Sequence, residues 1–227
     1  MCTSVSVIIP ALNEAANIQK AVSSAWHAGA DEVIVVDGGS RDETASLADS
    51  AGGSVLQSPL GRARQQNHGA NAAIGDTLLF LHADCWLDSD CIRQVRDAIA
   101  SGKLHGGFRQ SIANSGSVYR LLEIGNNLRV RCFSMVYGDQ AIWVHRELFD
   151  RVGQFADIAL MEDVKLSEGL RKHSRATLLP GCLHVSARRW QTNGPIRQTF
   201  RNWSLMLRYK TGVSPDDLRK FYRCHDE

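Results

Sequence analysis

The chain has 227 residues, 44% hydrophobic and 22% charged, with 19 Gly and 5 Pro; this composition excludes collagen, low complexity and disorder and allows one large α/β core. Lys and Arg number 26 against 24 Asp and Glu, a formal net charge of +2, so no global field steers the protein toward nucleic acid. No stretch reaches the roughly 18 apolar residues that crossing a bilayer takes. Met1-Cys-Thr-Ser lacks the basic region and cleavage site of a secretory leader, so the expectation is a cytoplasmic protein.

Val5 to Pro10 is a β-branched run closed by Pro, which reads as a buried strand. Asn13 is placed to cap the following helix, in which Ile18, Val22 and Ala25 recur at i, i+4 and i+7, and Gly29 sits where such a helix ends. Glu32 to Asp37 is a second buried strand. After Gly38-Gly39, the run Ser40-Arg-Asp-Glu43 fits a capping box that opens a second helix. A short strand near 54–57, a helix over about 61–74, an apolar strand over 77–82 and a helix carrying Ile92, Val95 and Ile99 continue the alternation. Strand and helix alternating in this way predict a doubly wound parallel sheet, whose ligands bind outside the carboxyl ends of the strands. Beyond residue 105 the spacing predicts strands over 106–113 and 141–145, helices over 118–133 and 162–173, and a strand over 181–185. A last helix starts at Pro195 and ends near Gly212. One domain spanning 1–227 is expected, in three stretches, 1–105, 106–190 and C-terminal amphipathic helices over 191–227.

Cys2, Cys85, Cys91, Cys132, Cys182 and Cys224 form no C-x-x-C pair and no zinc-knuckle spacing; they are expected to be reduced, small core residues. No G-x-G-x-x-G follows the first strand and no G-x-x-x-x-G-K-[ST] occurs, which argues against a dinucleotide dehydrogenase and a P-loop NTPase. The tripeptide His82-Ala83-Asp84 ends a strand of the sheet. A carboxylate there can hold a hard divalent cation against diphosphate oxygens or can cap the next turn, and the tripeptide alone leaves both open. A haloacid-dehalogenase phosphatase would need a nucleophilic Asp where His82 stands.

Ser-Val-Ile-Ile-Pro-Ala-Leu-Asn-Glu14, Val-Val-Asp-Gly-Gly-Ser-Arg-Asp42, Gly-Arg-Ala-Arg-Gln-Gln-Asn67, Leu-Phe-Leu-His-Ala-Asp84, Tyr-Gly-Asp-Gln140, Met-Glu-Asp163 and Arg-Arg-Trp190 occur in that order. The ordered set resembles glycosyltransferase family 2, and within it the small bacterial members with a His-Ala-Asp variant of the D-x-D motif, of the transferase 2, rSAM/selenodomain-associated type. The resemblance implies the GT-A fold, a Rossmann-like and mainly parallel sheet flanked by helices, together with a nucleotide-diphosphate sugar donor and a divalent metal, Mn²⁺ or Mg²⁺. Carried over by position, Pro10, Ala11, Asn13, Glu14, Asp37 and Gly38 line the base and ribose pocket, and Arg62 or Arg64 reaches the base or diphosphate. Asp84 is the metal ligand and His184 a further one. His82 departs from the family's first Asp and stays with the donor-binding residues.

By the same resemblance Asp163 is the general base of an inverting transfer, while Glu162 beside it orients a loop or the acceptor. Gly138, Asp139 and Gln140 face the acceptor, and Arg188, Arg189 and Trp190 compensate the charge of the departing diphosphate. The implied reaction moves a hexose, glucose by preference, from UDP to an acceptor hydroxyl. A catalytically silent nucleotide-sugar-binding protein and a sugar-phosphate nucleotidyltransferase are the alternatives.

Between Ser186 and Lys210 lie six basic residues and no acid. Ile196, Phe200, Trp203 and Leu207 recur at i, i+4, i+7 and i+11, with Arg197, Arg201 and Arg208 one residue along. Either this helix packs its apolar stripe on the core, or it docks on anionic lipid at the inner face of a membrane and presents a lipid-borne acceptor.

Overall fold

The computed structural model describes residues 3–221. Its centre is one eight-stranded sheet in the order β3-β2-β1-β4-β7-β6-β8-β5. The strands are β1 (Val5–Ala11), β2 (Glu32–Asp37), β3 (Ser54–Gln57), β4 (Thr77–Phe80), β5 (Cys85–Leu87), β6 (His105–Ile112), β7 (Ile142–His145) and β8 (Thr177–Val185). The predicted parallel unit is present: β1 lies between β2 and β4, and β3 extends β2, all parallel. β7 runs antiparallel to both β4 and β6. β6 and β8 are parallel, and β5 closes the far edge antiparallel to β8. Strands from 1–105 and from 106–190 therefore share one sheet.

Helices cover both faces, and the strand sequences show why. Val5, Val7 and Ile9 of β1 face one apolar cluster with Ile18, Val22 and Ala25 of α1 (Ile18–His27), Ala48 of α2 (Thr44–Ser50) and Ile92 and Val95 of α4 (Cys91–Ala100). Ile8 between them faces the other, with Ala63 and Ala70 of α3 (Arg62–Ala72), Val130 of α5 (Ser117–Phe133), Leu148 and Phe149 of α6 (Arg146–Arg151), and Leu166 and Leu170 of α7 (Glu162–Leu170). A strand buried on both sides has two apolar faces, which accounts for the near-continuous Val/Ile runs; the buried exception in β1, Ser6, donates its hydroxyl to Glu32 Oε2 at 2.5 Å. Three helices complete the described chain: α8 (Arg188–Asn193), α9 (Pro195–Lys210) and α10 (Pro215–Phe221). No helix of the described residues is long and apolar enough to cross a membrane.

Several local expectations are corrected. Asn13 does not cap α1, which begins at Ile18; it adopts φ +50° and its Oδ1 accepts the Arg41 N–H at 2.9 Å, tying the loop after β1 to the loop after β2. The capping box at 40–43 is also absent. α2 begins at Thr44, and Asp42 takes the Thr44 N–H and hydroxyl instead. α9 is not the last helix, since Pro215 opens α10. Cys85 and Cys91 are buried thiols as expected, and burial pushes the Cys91 thiol up to about 12, but Cys132 is exposed on α5. Cys2 and Cys224 lie outside the described residues.

Candidate active site

The carboxyl ends of β1, β2 and β4 share one edge of the sheet, so Asp37 at the end of β2 and the His82-Ala83-Asp84 segment after β4 stand two strand spacings apart, roughly 10 Å. Between them the loop after β1 carries Asn13 and Glu14. Gln65 of α3 is the clamp beneath: its Nε2 donates to Ala11 O at 2.9 Å and Val36 O at 2.8 Å, joining the two strand ends. Gly38 N–H adds a bond to Ala11 O at 2.9 Å. A Cβ on Gly38 would press on the Gln65 amide at 3.0–3.2 Å, so the small residue and the clamp require each other. Pro10 and Ala11 pair with Val36 and Asp37 in the sheet.

Asp37 is 2% exposed, and its carboxylate accepts the Gly39 N–H at 3.2 Å, the Ser40 N–H at 3.1 Å and the Ser40 hydroxyl. It builds the turn at the carboxyl end of β2. Glu14 Oε1 accepts from an Arg188 terminal nitrogen at 3.0 Å, bridging the first loop to α8. Arg188 Nε is buried without a hydrogen-bond partner, a donor that a phosphate oxygen would satisfy. Trp190 stands edge-on to Tyr119, centroids 6.4 Å apart, and packs against the core. The Arg189 side chain lies outside the described residues.

After β4, His82, Asp84 and Cys85 bring one nitrogen, one carboxylate oxygen and one sulfur within 4.8 Å of one another. Cys85 was not singled out by sequence; its Sγ lies 3.6 Å from Asp84 Oδ1. A carboxylate with an imidazole suits a divalent ion that retains waters and diphosphate oxygens, so the donor set fits the metal the motif implies. His184 is not part of this group. β5 pairing sets it opposite Trp86, on which it stacks at 5.4 Å, and its Nε2 meets Asp88 Oδ1 at 2.8 Å.

The same place is closed from the other side by the turn Gly138–Gln140 and the start of α7. Gly138 N–H donates to Asp163 Oδ2 at 2.8 Å, and Asp163 Oδ1 accepts the Val164 N–H at 2.7 Å. A Cβ on Gly138 would overlap His82 Nε2 and lie 3.5 Å from Asp163 Oδ2. His82 therefore faces both Asp84 and the α-carbon that Asp163 faces, and Asp84, His82, Gly138 and Asp163 form one continuous cluster. Arg129 of α5 holds the turn: it donates to Gln140 Oε1 at 2.7 Å and Asp139 Oδ1 at 3.4 Å, and stacks over Tyr137 at 3.7 Å. Gln110 adds a bond to Asp139 Oδ2 at 3.0 Å. Asp139 and Gln140 are thus engaged inside the protein, and Arg129 is a residue that sequence reasoning missed. Its signal would have been a guanidinium near the end of the helix, nine residues before the polar turn it serves.

Glu162 is 2% exposed and accepts from Arg62 at 3.2 Å. Arg62 thus turns to the cluster, whereas Arg64 points outward to Asp157, Nε to Oδ1 2.9 Å. Burial pushes the Glu162 carboxyl above its ordinary 4.5, Arg62 opposes that rise and Asp163 adds to it. An acid with a raised folded value costs stability as pH climbs from 4.5 through that value, because the native state holds the proton more tightly than the unfolded chain. Arg62→Ala removes the opposing cation. The variant should lose about 2 kcal/mol at pH 8 and distinctly less at pH 5, measured by urea unfolding. Equal losses at both pH values would mean the ion pair is not the cause.

Residues 6–151 match the profile of glycosyl transferase family 2. The chain belongs to that family. It is 30% identical over 137 residues to glycosyltransferase AglJ of Haloferax volcanii, covering 59% of this chain and 45% of that one. It is 34% identical over 98 residues to an uncharacterized glycosyltransferase of Rickettsia felis, 43% of this chain and 34% of that one. The chain spans less than half the length of these curated relatives. Among solved structures, S. aureus TarS 1–349 in complex with UDP-GlcNAc superposes with TM-score 0.66 at 17% identity, over 81% of this chain and 58% of that one. Glucosyl-3-phosphoglycerate synthase from Mycobacterium tuberculosis, in complex with Mg²⁺ and UDP, superposes with TM-score 0.56 at 21% identity, over 81% and 70%. The mixed α/β sheet flanked by helices is the GT-A fold of these neighbours.

Proposed function

We propose that the protein transfers a hexosyl group, glucose by preference, from UDP to an acceptor hydroxyl with inversion at the anomeric carbon. The observation that carries this is the continuous cluster Asp84–His82–Gly138–Asp163 at the sheet edge where the donor pocket ends. The neighbours bound to UDP, UDP-GlcNAc, Mg²⁺ and Mn²⁺ support the donor class and the cation. The subgroup within the family rests on the His-Ala-Asp tripeptide.

In this reading the loops at 10–14 and 37–40 hold the nucleoside, with Gln65 fixing their spacing. A divalent ion, held by Asp84 with His82, would supply positive charge to the diphosphate when bound. Arg188 adds a second counter-charge once its terminal nitrogen shifts from Glu14 and its buried Nε meets a phosphate oxygen. Asp163 takes the proton from the acceptor hydroxyl as that oxygen attacks the anomeric carbon and the bond to the diphosphate breaks. The Gly138 N–H fixes the orientation of the Asp163 carboxylate and leaves a lone pair for the incoming hydroxyl. Glu162 is buried against Arg62 and supports the loop rather than meeting the acceptor. The acceptor is assigned to a lipid-borne hydroxyl because α9 turns its apolar stripe outward, with Ile196, Phe200, Trp203 and Leu207 exposed.

The test is incubation with Mn²⁺ and a panel of nucleotide sugars, scoring UDP release and thermal shift. Asp84→Ala should weaken Mn²⁺-dependent UDP binding about tenfold or more and leave metal-free UDP binding unchanged. Donor binding without turnover on any acceptor would make the protein a silent nucleotide-sugar binder, and metal-independent binding by the wild type would remove Asp84 from its role.

A further inference from the structure

Of the fourteen large hydrophobic side chains exposed among the described residues, nine lie on α5 and α9. Chance scatter would spread them; here they follow helical periodicity. On α5, Tyr119, Glu123 and Val130 face inward, Glu123 accepting the Ile112 N–H of β6. Leu121, Ile124 and Leu128, at i, i+3 and i+7, are 70%, 55% and 49% exposed. On α9, Gln198 and Leu205 face inward, Leu205 packing with Leu160 and Leu218, while Phe200, Trp203 and Leu207 at the same spacing are 63–66% exposed. Both helices are amphipathic with the apolar side turned away from the protein, the reverse of ordinary packing.

Two contacts bring the flanks of the two helices close to each other. Tyr119 near the start of α5 meets Trp190, five residues before α9 begins, and the Tyr137 hydroxyl, four residues past α5, lies 4.0 Å from Met206 Sδ near the end of α9. The helices thus begin near each other and end near each other. Their charge is one-sided as well. α9 carries Arg197, Arg201, Arg208 and Lys210 and no acid, although Lys210 is paired with Glu168. The single acid of α5, Glu123, is buried, whereas Arg131 is exposed. A second copy of the chain would set this cationic face against itself across a two-fold axis, which favours an anionic partner.

We propose that α5 and α9 together form a docking face for an anionic lipid bilayer. The three apolar residues of each helix enter the boundary between headgroups and acyl chains, and Arg131, Arg197 and Arg208 meet lipid phosphates. Trp203 has the amphipathic ring suited to that depth. Gly138 follows Tyr137 directly, so the turn that orients Asp163 starts at the edge of this face; that the acceptor arrives from the lipid rests on the transfer reading above, and the docking itself does not.

Vesicle co-sedimentation with the full chain tests it. The protein should pellet with vesicles containing about 30 mol% phosphatidylglycerol and not with neutral phosphatidylcholine vesicles, and NaCl raised from about 0.1 to about 0.5 M should release most of it. Leu121→Ser with Leu128→Ser, and separately Phe200→Ser with Trp203→Ser, should each lower partitioning about tenfold or more. Circular dichroism, melting and UDP affinity should stay at wild-type values, because these side chains face solvent. Equal pelleting with both vesicles, or none, overturns the proposal, as does a defect confined to the α9 pair. A dimer in solution that the same substitutions dissolve would assign the face to a second copy and likewise overturn it. A wild type that pellets but binds no UDP would sink the transfer reading and leave the docking face standing.

Discussion

Asp163→Asn is expected to lower sugar transfer by about 10²–10⁴ and leave UDP affinity within about twofold. The amide is nearly the size of the carboxylate, and its one oxygen can keep the Gly138 N–H that holds the turn at 138–140; the bond given up is the one from the adjacent Val164 N–H. What it loses is the ability to take a proton from the acceptor hydroxyl. The neighbouring acid supplies the control. Glu162 is 2% exposed and tied to Arg62 at 3.2 Å, so Glu162→Gln should disturb the loop and stability while retaining most of the rate per folded molecule. Single-turnover rates at saturating UDP-sugar, with UDP binding measured separately, distinguish the two. An Asp163→Asn protein that turns over normally, or a Glu162→Gln protein that is dead yet folded, removes Asp163 from the position of base.

The parts that sequence made legible are those set by local chemistry. Val5–Ala11 and Glu32–Asp37 had to be buried parallel strands because no polar face interrupts them, and their order with the intervening helices predicted the sheet edge where Asp37 and Asp84 now stand. Asn13 shows the limit. An Asn before an apolar-periodic run has the composition of an N-cap, but its oxygen is claimed by Arg41 N–H, 28 residues away in sequence. β5 has only three residues and exists through its pairing with β8, which no short window reveals. His184 had the right residue type for a ligand, yet its strand register delivers it to Trp86 and Asp88. α9 is the clearest case: periodicity identified the stripe Ile196, Phe200, Trp203 and Leu207 without saying what covers it, and the structure leaves it uncovered. Gln65 and Arg129, which hold the donor loops and the 138–140 turn, are long-range hydrogen-bonding residues whose partners only the fold assembles.

Gly138→Ala should reduce transfer by about 10² or more and destabilise the fold by about 1–3 kcal/mol. Conformational freedom is not the reason, because Gly138 is absent from the positive-φ glycines; space is. The added methyl would overlap His82 Nε2 and lie 3.5 Å from Asp163 Oδ2, so either the imidazole rotates away from Asp84 or the turn retreats and its N–H leaves Asp163. The turn is poorly able to retreat, since Arg129 grips Gln140 at 2.7 Å and Gln110 grips Asp139 at 3.0 Å. Displacement of His82 is the cheaper response, and Mn²⁺-dependent UDP binding should fall together with the rate. Gly125→Ala, in the middle of α5 with nothing within 4 Å of the added carbon, is the matched control and should be neutral or stabilising by up to about 1 kcal/mol. If Gly138→Ala retains the wild-type rate and metal response, His82 and Asp163 do not meet around that α-carbon, and the geometry that joins the donor pocket to the base is wrong.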